Sequence, residues 1–88
     1  MNQEQFEENK VGQELAFARE EKGMSQEQIA DILNLTLANV IALENDDYES
    51  LPSWTYVSGY IRAYARLLGL DSDSLRDKAE ARIQADME

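Results

Sequence analysis

The 88-residue chain contains no cysteine and no histidine. The first absence excludes a disulfide framework, and the two together remove the usual zinc ligand sets. No apolar run approaches the roughly 20 residues needed to cross a bilayer, and the opening MNQEQFEENK is acidic and polar, unlike a signal peptide. The chain therefore reads as soluble and cytoplasmic and does not itself span a membrane. There is no glycine-rich phosphate loop, and the carboxylates are dispersed along solvated helical faces instead of being paired. Ser25, Thr36 and Ser72 are explained as helix caps. No catalytic residue, metal site or cofactor is expected, and the chain does not read as an enzyme.

Cations are scarce as well. The net charge is −10, and no Lys or Arg occurs between Gly23 and Ile61. That stretch holds Glu27, Asp31, Glu44, Asp46, Asp47 and Glu49. A protein that binds nucleic acid through phosphates normally gathers positive charge on the binding face, so this middle segment should repel a duplex.

What is present is helical periodicity, without an internal repeat or a strand of useful length. The length allows one small domain over residues 11–84, with short flexible tails at 1–10 and 85–88. Phe6 is a candidate anchor within the first tail. Helix 1 is expected from Val11 to Lys22, with Val11, Leu15 and Ala18 on one face and Gly23 as a left-handed stop. Helix 2 begins after the N-cap Ser25, whose capping-box partner is Gln28, and points Ile29, Ile32 and Leu33 inward. Asn34 tolerates the left-handed conformation that ends it. Thr36 then caps helix 3, from Leu37 to Asn45, which buries Val40 and Leu43. Two short helices joined this tightly are the mark of a helix-turn-helix. A loop at 45–53 leads through Pro52 into helix 4, which Gly69 ends. Asp71 or Ser72 caps helix 5, which turns Leu75, Ala79 and Ile83 inward and should fray from about Gln84. The fold class is all-α, with five helices.

Helix 4 is unusually apolar. On a wheel, Trp54, Val57, Ile61, Tyr64, Ala65 and Leu68 form one stripe, and Tyr56, Tyr60, Ala63 and Leu67 form a second beside it. A helix packed on one core needs an apolar arc of only about 100° or a little more. The second stripe must meet another helix of the chain or another protein. The wheel alone allows Tyr56 and Tyr60 to pack on helix 5 as readily as on a partner.

The run SQEQIADILNLTLANVIALEND resembles the helix-turn-helix of the phage repressor and Cro family. That resemblance implies a third helix lying in the major groove. Thr36 and Asn39 would be the hydrogen-bonding readers, and Gln26 the phosphate contact. Leu37, Ala38, Ile41 and Ala42 stand where polar readers are common, so the motif looks like a folding scaffold that has lost its readout. The resemblance also implies a structural ion pair between Arg19 and Glu44. A DNA-binding regulator of this class is the alternative reading, and the charge disfavours nucleic acid as a partner.

The longer pattern, REEKGMS followed by the helix-turn-helix and then LPSWTYVSGYIRAYARLLGLD, resembles the N-terminal cytoplasmic domains of RodZ proteins, which are bacterial rod-shape and cell-division membrane proteins. What this resemblance implies is a non-enzymatic cytoskeletal adaptor that binds the actin homologue MreB through helix 4. It implies in addition a single-pass parent protein, with this domain at the cytoplasmic face of the inner membrane. Carried onto this sequence, the partner-facing residues are Tyr60 and Tyr64, extended by Tyr56, with Arg62 and Arg66 available for acids on the partner.

Overall fold

A computed structural model describes residues 10–87. The order is α1 (Val11–Glu21), α2 (Gln26–Leu33), α3 (Leu37–Glu44), a 3₁₀ turn (Tyr48–Ser50), α4 (Trp54–Leu68) and α5 (Ser72–Met87). The fold is all-α, and among the described residues there is no strand. The expected Phe6 anchor and all but Lys10 of the N-terminal tail lie outside the described residues.

The local signals act as their chemistry requires. Ser25 accepts a hydrogen bond from the Gln28 amide while Gln28 Oε1 accepts one from the Ser25 amide, which closes the capping box of α2. Asn34 takes the left-handed conformation at φ 58, so the chain turns within two residues and Thr36 can accept from the Asn39 amide to start α3. Gly23 and Gly69 end α1 and α4 with φ of 69 and 77. Asp71 accepts from the Ser74 amide and so caps α5. That helix runs to Met87, past the fray expected at Gln84, because its last residues include good helix formers and no glycine or proline.

The core is one cluster to which every α-helix contributes. Val11 and Leu15 come from α1, Ile29 and Ala30 from α2, and Val40 and Leu43 from α3; α4 adds Val57, Ile61, Tyr64, Ala65 and Leu68, and α5 adds Leu75 and Ala79. In α2 the inward stripe is Gln26, Ile29, Ala30 and Leu33. Ile32, expected in the core, is 55% exposed because it sits about a quarter turn off that stripe. The small Ala30 takes the inward place and lets neighbouring helices approach.

The start of α1 lies directly against the end of α3. A Cβ on Gly12 would sit 2.4 Å from the carbonyl oxygens of Leu43 and Glu44, so only glycine fits there. The Gly12 amide, one of the free donors of the first turn, points at Asp46 Oδ1 at 2.9 Å. Asp46 thus caps α1 from a distant turn, held at φ 54 and braced by the Tyr48 hydroxyl at 3.0 Å. Burial raises its carboxyl pKa, against the opposing hydrogen bonds from Gly12 and Tyr48.

Candidate functional site

The two apolar stripes of α4 have different fates. Val57, Ile61, Tyr64, Ala65 and Leu68 are buried, as a single core stripe demands. Packing of α5 on α4 is the most extensive among the described residues, and its polar contacts run along Trp54, Ser58 and Arg62, successive turns of one flank. The guanidinium of Arg76 lies 5.6 Å from the Trp54 ring centre. Arg76 Nε also donates to Ser58 Oγ at 3.2 Å, and Arg62 pairs with Asp73 at 3.1 Å. At about 100° per residue, this flank faces away from Tyr56 and Tyr60. The terminal helix therefore does not cover the second stripe.

That stripe is divided along its length. Tyr60 and Leu67 lean onto the core cluster and are half-buried. Tyr56 is 61% exposed, the most exposed large apolar side chain among the described residues. Gly59, Ala63 and Arg66 are exposed on the same side, and nothing lies within 4 Å of the place a Gly59 Cβ would take. The outward face of α4 is thus a line of Tyr56, Gly59, Ala63 and Arg66 with Tyr60 at its edge.

Two sequence expectations for this face are corrected. Tyr64 is fully buried, and its hydroxyl donates to Glu44 Oε2, so it has no surface to offer a partner. Its ring belongs to the core stripe, and its hydroxyl needs an internal acceptor because it is out of reach of water. Arg62 is turned to the α5 flank by Asp73, and among the described residues its buried Nε has no hydrogen-bond partner. Arg66 is the cation that shares the face with Tyr56.

Beneath this face lies a buried polar hub. Glu44 receives Arg19 Nε at 2.7 Å and Nη2 at 3.0 Å, a two-pronged pairing. Gln26 Nε2 donates to the same carboxylate at 2.9 Å, and Arg19 Nη1 spends its remaining reach on the Met24 carbonyl at 2.8 Å. Burial opposes ionisation of Glu44, but the hydrogen bonds from Arg19, Tyr64 and Gln26 outweigh it and hold the carboxyl below its ordinary pKa. Burial raises the pKa of the Tyr64 hydroxyl, and its bond to Glu44 adds to the effect. The Arg19–Glu44 pair joins α1 to α3, Gln26 ties in α2, and Tyr64 ties in α4. Sequence reasoning found the pair and missed the other two donors. The signal for Tyr64 was its place on the core stripe of the wheel.

The positions that the Cro-like resemblance assigns to DNA contact lie at the starts of α2 and α3. Gln26 directs one amide hydrogen at Glu44. Thr36 is exposed but serves as the α3 cap, and Asn39 is half-buried. Leu37, Ala38 and Ile41 form the exposed surface of α3. Phe17, also 49% exposed, lines a shallow open cleft with Leu68 and Leu70 between α1 and the end of α4. Among the described residues no group of carboxylates is arranged to hold a metal, and no helix is long and apolar enough to cross a membrane.

No solved structure matches the chain significantly. A family described as a helix-turn-helix domain matches residues 14–75, the greater part of the sequence, from the middle of α1 into the first turn of α5. The match takes in the capping box, the Asn34 turn, the Glu44 hub and the whole of α4. The chain belongs to this helix-turn-helix domain family.

Proposed function

We propose that this domain is a non-enzymatic cytoskeletal adaptor, in which the helix-turn-helix holds α4 rigid and α4 docks on the bacterial actin homologue MreB. The observation that carries the reading is that α5 packs along the Trp54–Ser58–Arg62 flank and leaves Tyr56 61% exposed on the opposite one. An aromatic ring held outward on a packed helix loses little freedom on binding and can bury a large area while its hydroxyl stays hydrogen-bonded. Gly59 and Ala63 keep the line beside it flat, and Arg66 offers a charge to an acidic neighbour. In this reading Tyr56 is the anchor, Tyr60 supports it from the edge, and Tyr64 acts from below by fixing α4 to Glu44. A membrane-anchored parent protein would add effective concentration to a contact of modest area.

The rival reading is a DNA-binding regulator using Gln26, Thr36 and Asn39. It has to overcome six carboxylates and no cation between Gly23 and Ile61, and Gln26 already gives one of its two amide hydrogens to Glu44. Such a regulator would lose affinity steeply with salt.

Sedimentation with polymerised MreB tests the adaptor reading. Tyr56→Ala, at an exposed site, is expected to leave the melting temperature unchanged and to weaken co-pelleting about tenfold, as loss of a central tyrosine does at many interfaces. Undiminished co-pelleting of a folded Tyr56→Ala protein would remove α4 as the docking face. Tyr60→Ala should weaken binding too, with some loss of stability because the ring is half-buried on the core.

A further inference from the structure

The outer face of the helix-turn-helix is a second unpartnered surface, and its chemistry differs from that of α4. Leu37 and Ile41, each 38% exposed, stand one turn apart on α3 with Ala38 exposed beside them. On α2, which packs directly on α3, Ile32 is 55% exposed. Exposed carboxylates occur on the same elements: Glu27 and Asp31 on α2, and Asp47 and Glu49 in the turn after α3. The segment that forms this face contains no Lys or Arg to neutralise them. A contiguous apolar patch with a charged rim is the composition of a protein-docking surface.

We propose that this face docks a cationic amphipathic helix of a partner protein. Its aliphatic side chains would lie against Leu37, Ala38 and Ile41, and its Lys or Arg residues would meet Glu27, Asp31, Asp47 and Glu49. Charge selects this occupant over the others. Nucleic acid and anionic lipid are repelled by the carboxylates, and a second copy of a chain with net charge −10 is repelled as well. Residues 1–9 carry three carboxylates and no cationic side chain, so they share the wrong sign. A helix with alternating turns of leucine and lysine satisfies both the apolar strip and its rim, and laying an apolar face into a helical groove is a common mode of recognition.

The test uses the full chain, isotopically labelled, titrated with a synthetic 18-residue helical peptide of leucine and lysine that has its leucines on one face. A peptide with glutamate in place of lysine serves as control. Amide shifts are expected at Ile32, Leu37, Ala38 and Ile41 with the cationic peptide only. The double variant L37S/I41S should stay folded, with a somewhat lower melting temperature because each side chain is partly covered, and bind at least about tenfold more weakly. Glu27→Gln with Asp31→Asn should weaken binding and flatten its dependence on salt. The proposal is overturned by shifts spread over every acidic surface, by shifts confined to α4, by equal binding of L37S/I41S, or by no shift at millimolar peptide. Duplex DNA or self-association producing the same local shifts would also overturn it. Failure here leaves the α4 reading untouched, since the two faces are altered by separate variants.

Discussion

Glu44→Ala is expected to destabilise the domain by about 3–5 kcal/mol, because it strands Arg19 and removes an acceptor shared by four helices. The side chains of Arg19 and Glu44 are only 11% and 5% exposed, so water cannot replace the lost carboxylate. Gln26 and Tyr64 lose the same acceptor, and each unsatisfied buried donor costs about 1–3 kcal/mol. Against the roughly 5–15 kcal/mol typical of a whole domain, this loss is a large fraction of the stability and brings a domain at the lower end of that range near its midpoint at room temperature. Chemical denaturation followed by circular dichroism measures the loss. The charge state matters in the same direction. Glu44 titrates below its ordinary 4.5 when folded, so its stabilisation is complete above that pH and is lost as the pH falls through the lower folded value. Asp46, raised above its ordinary 3.8, has the opposite slope and favours the fold as it takes up its proton. Glu44→Gln should therefore flatten the acid limb of the stability profile, and an unchanged limb would show that Glu44 does not govern it.

Gly12→Ala is the second large effect, and it acts through the backbone. The added methyl would meet two carbonyl oxygens at 2.4 Å, and neither can rotate away as a side chain does. Relief requires α1 to back off from α3, which loosens Val11 and Leu15 in the core and stretches the Gly12–Asp46 hydrogen bond. A cost of about 3 kcal/mol, at the upper end for overpacking, is expected. In an isolated helix the same substitution would stabilise by up to about 1 kcal/mol, so the sign of the result separates the tertiary effect from helix propensity.

Most of the fold was legible because its signals are local. Ser25 with Gln28, Asn34, Thr36, Gly23 and Gly69 each decide a helix end within a few residues, and the wheel of α4 showed which stripe belongs inside. Other features depend on distant partners. Gly12 looks like a poor helix residue until α3 is laid against it, and Asp46 looks like one loop acid among several until α1 arrives with a free amide. Ile32 misled because hydrophobicity is visible in a sequence while the phase of an eight-residue helix is weakly determined. At the candidate site, the wheel already set Tyr64 on the core stripe, against the outward role carried over from the resemblance, and it left Tyr56 open between helix 5 and a partner. Arg62 was not legible, since its direction is set by Asp73 on the next helix. The Arg19–Glu44 pair came from resemblance, and the geometry adds that Gln26 is drawn into it. Gln26, the position that the resemblance assigns to a phosphate contact, here donates to the core carboxylate Glu44.

The two-sided nature of α4 is central to this account, and hydrogen exchange on the chain bound to polymerised MreB tests it most directly. Added protection is predicted along the outward side of α4, around Tyr56, Gly59, Tyr60 and Ala63, with exchange over Thr36–Asn39 unchanged. Protection at Thr36–Asn39 by duplex DNA at moderate salt, with none along α4 from the filament, would contradict it.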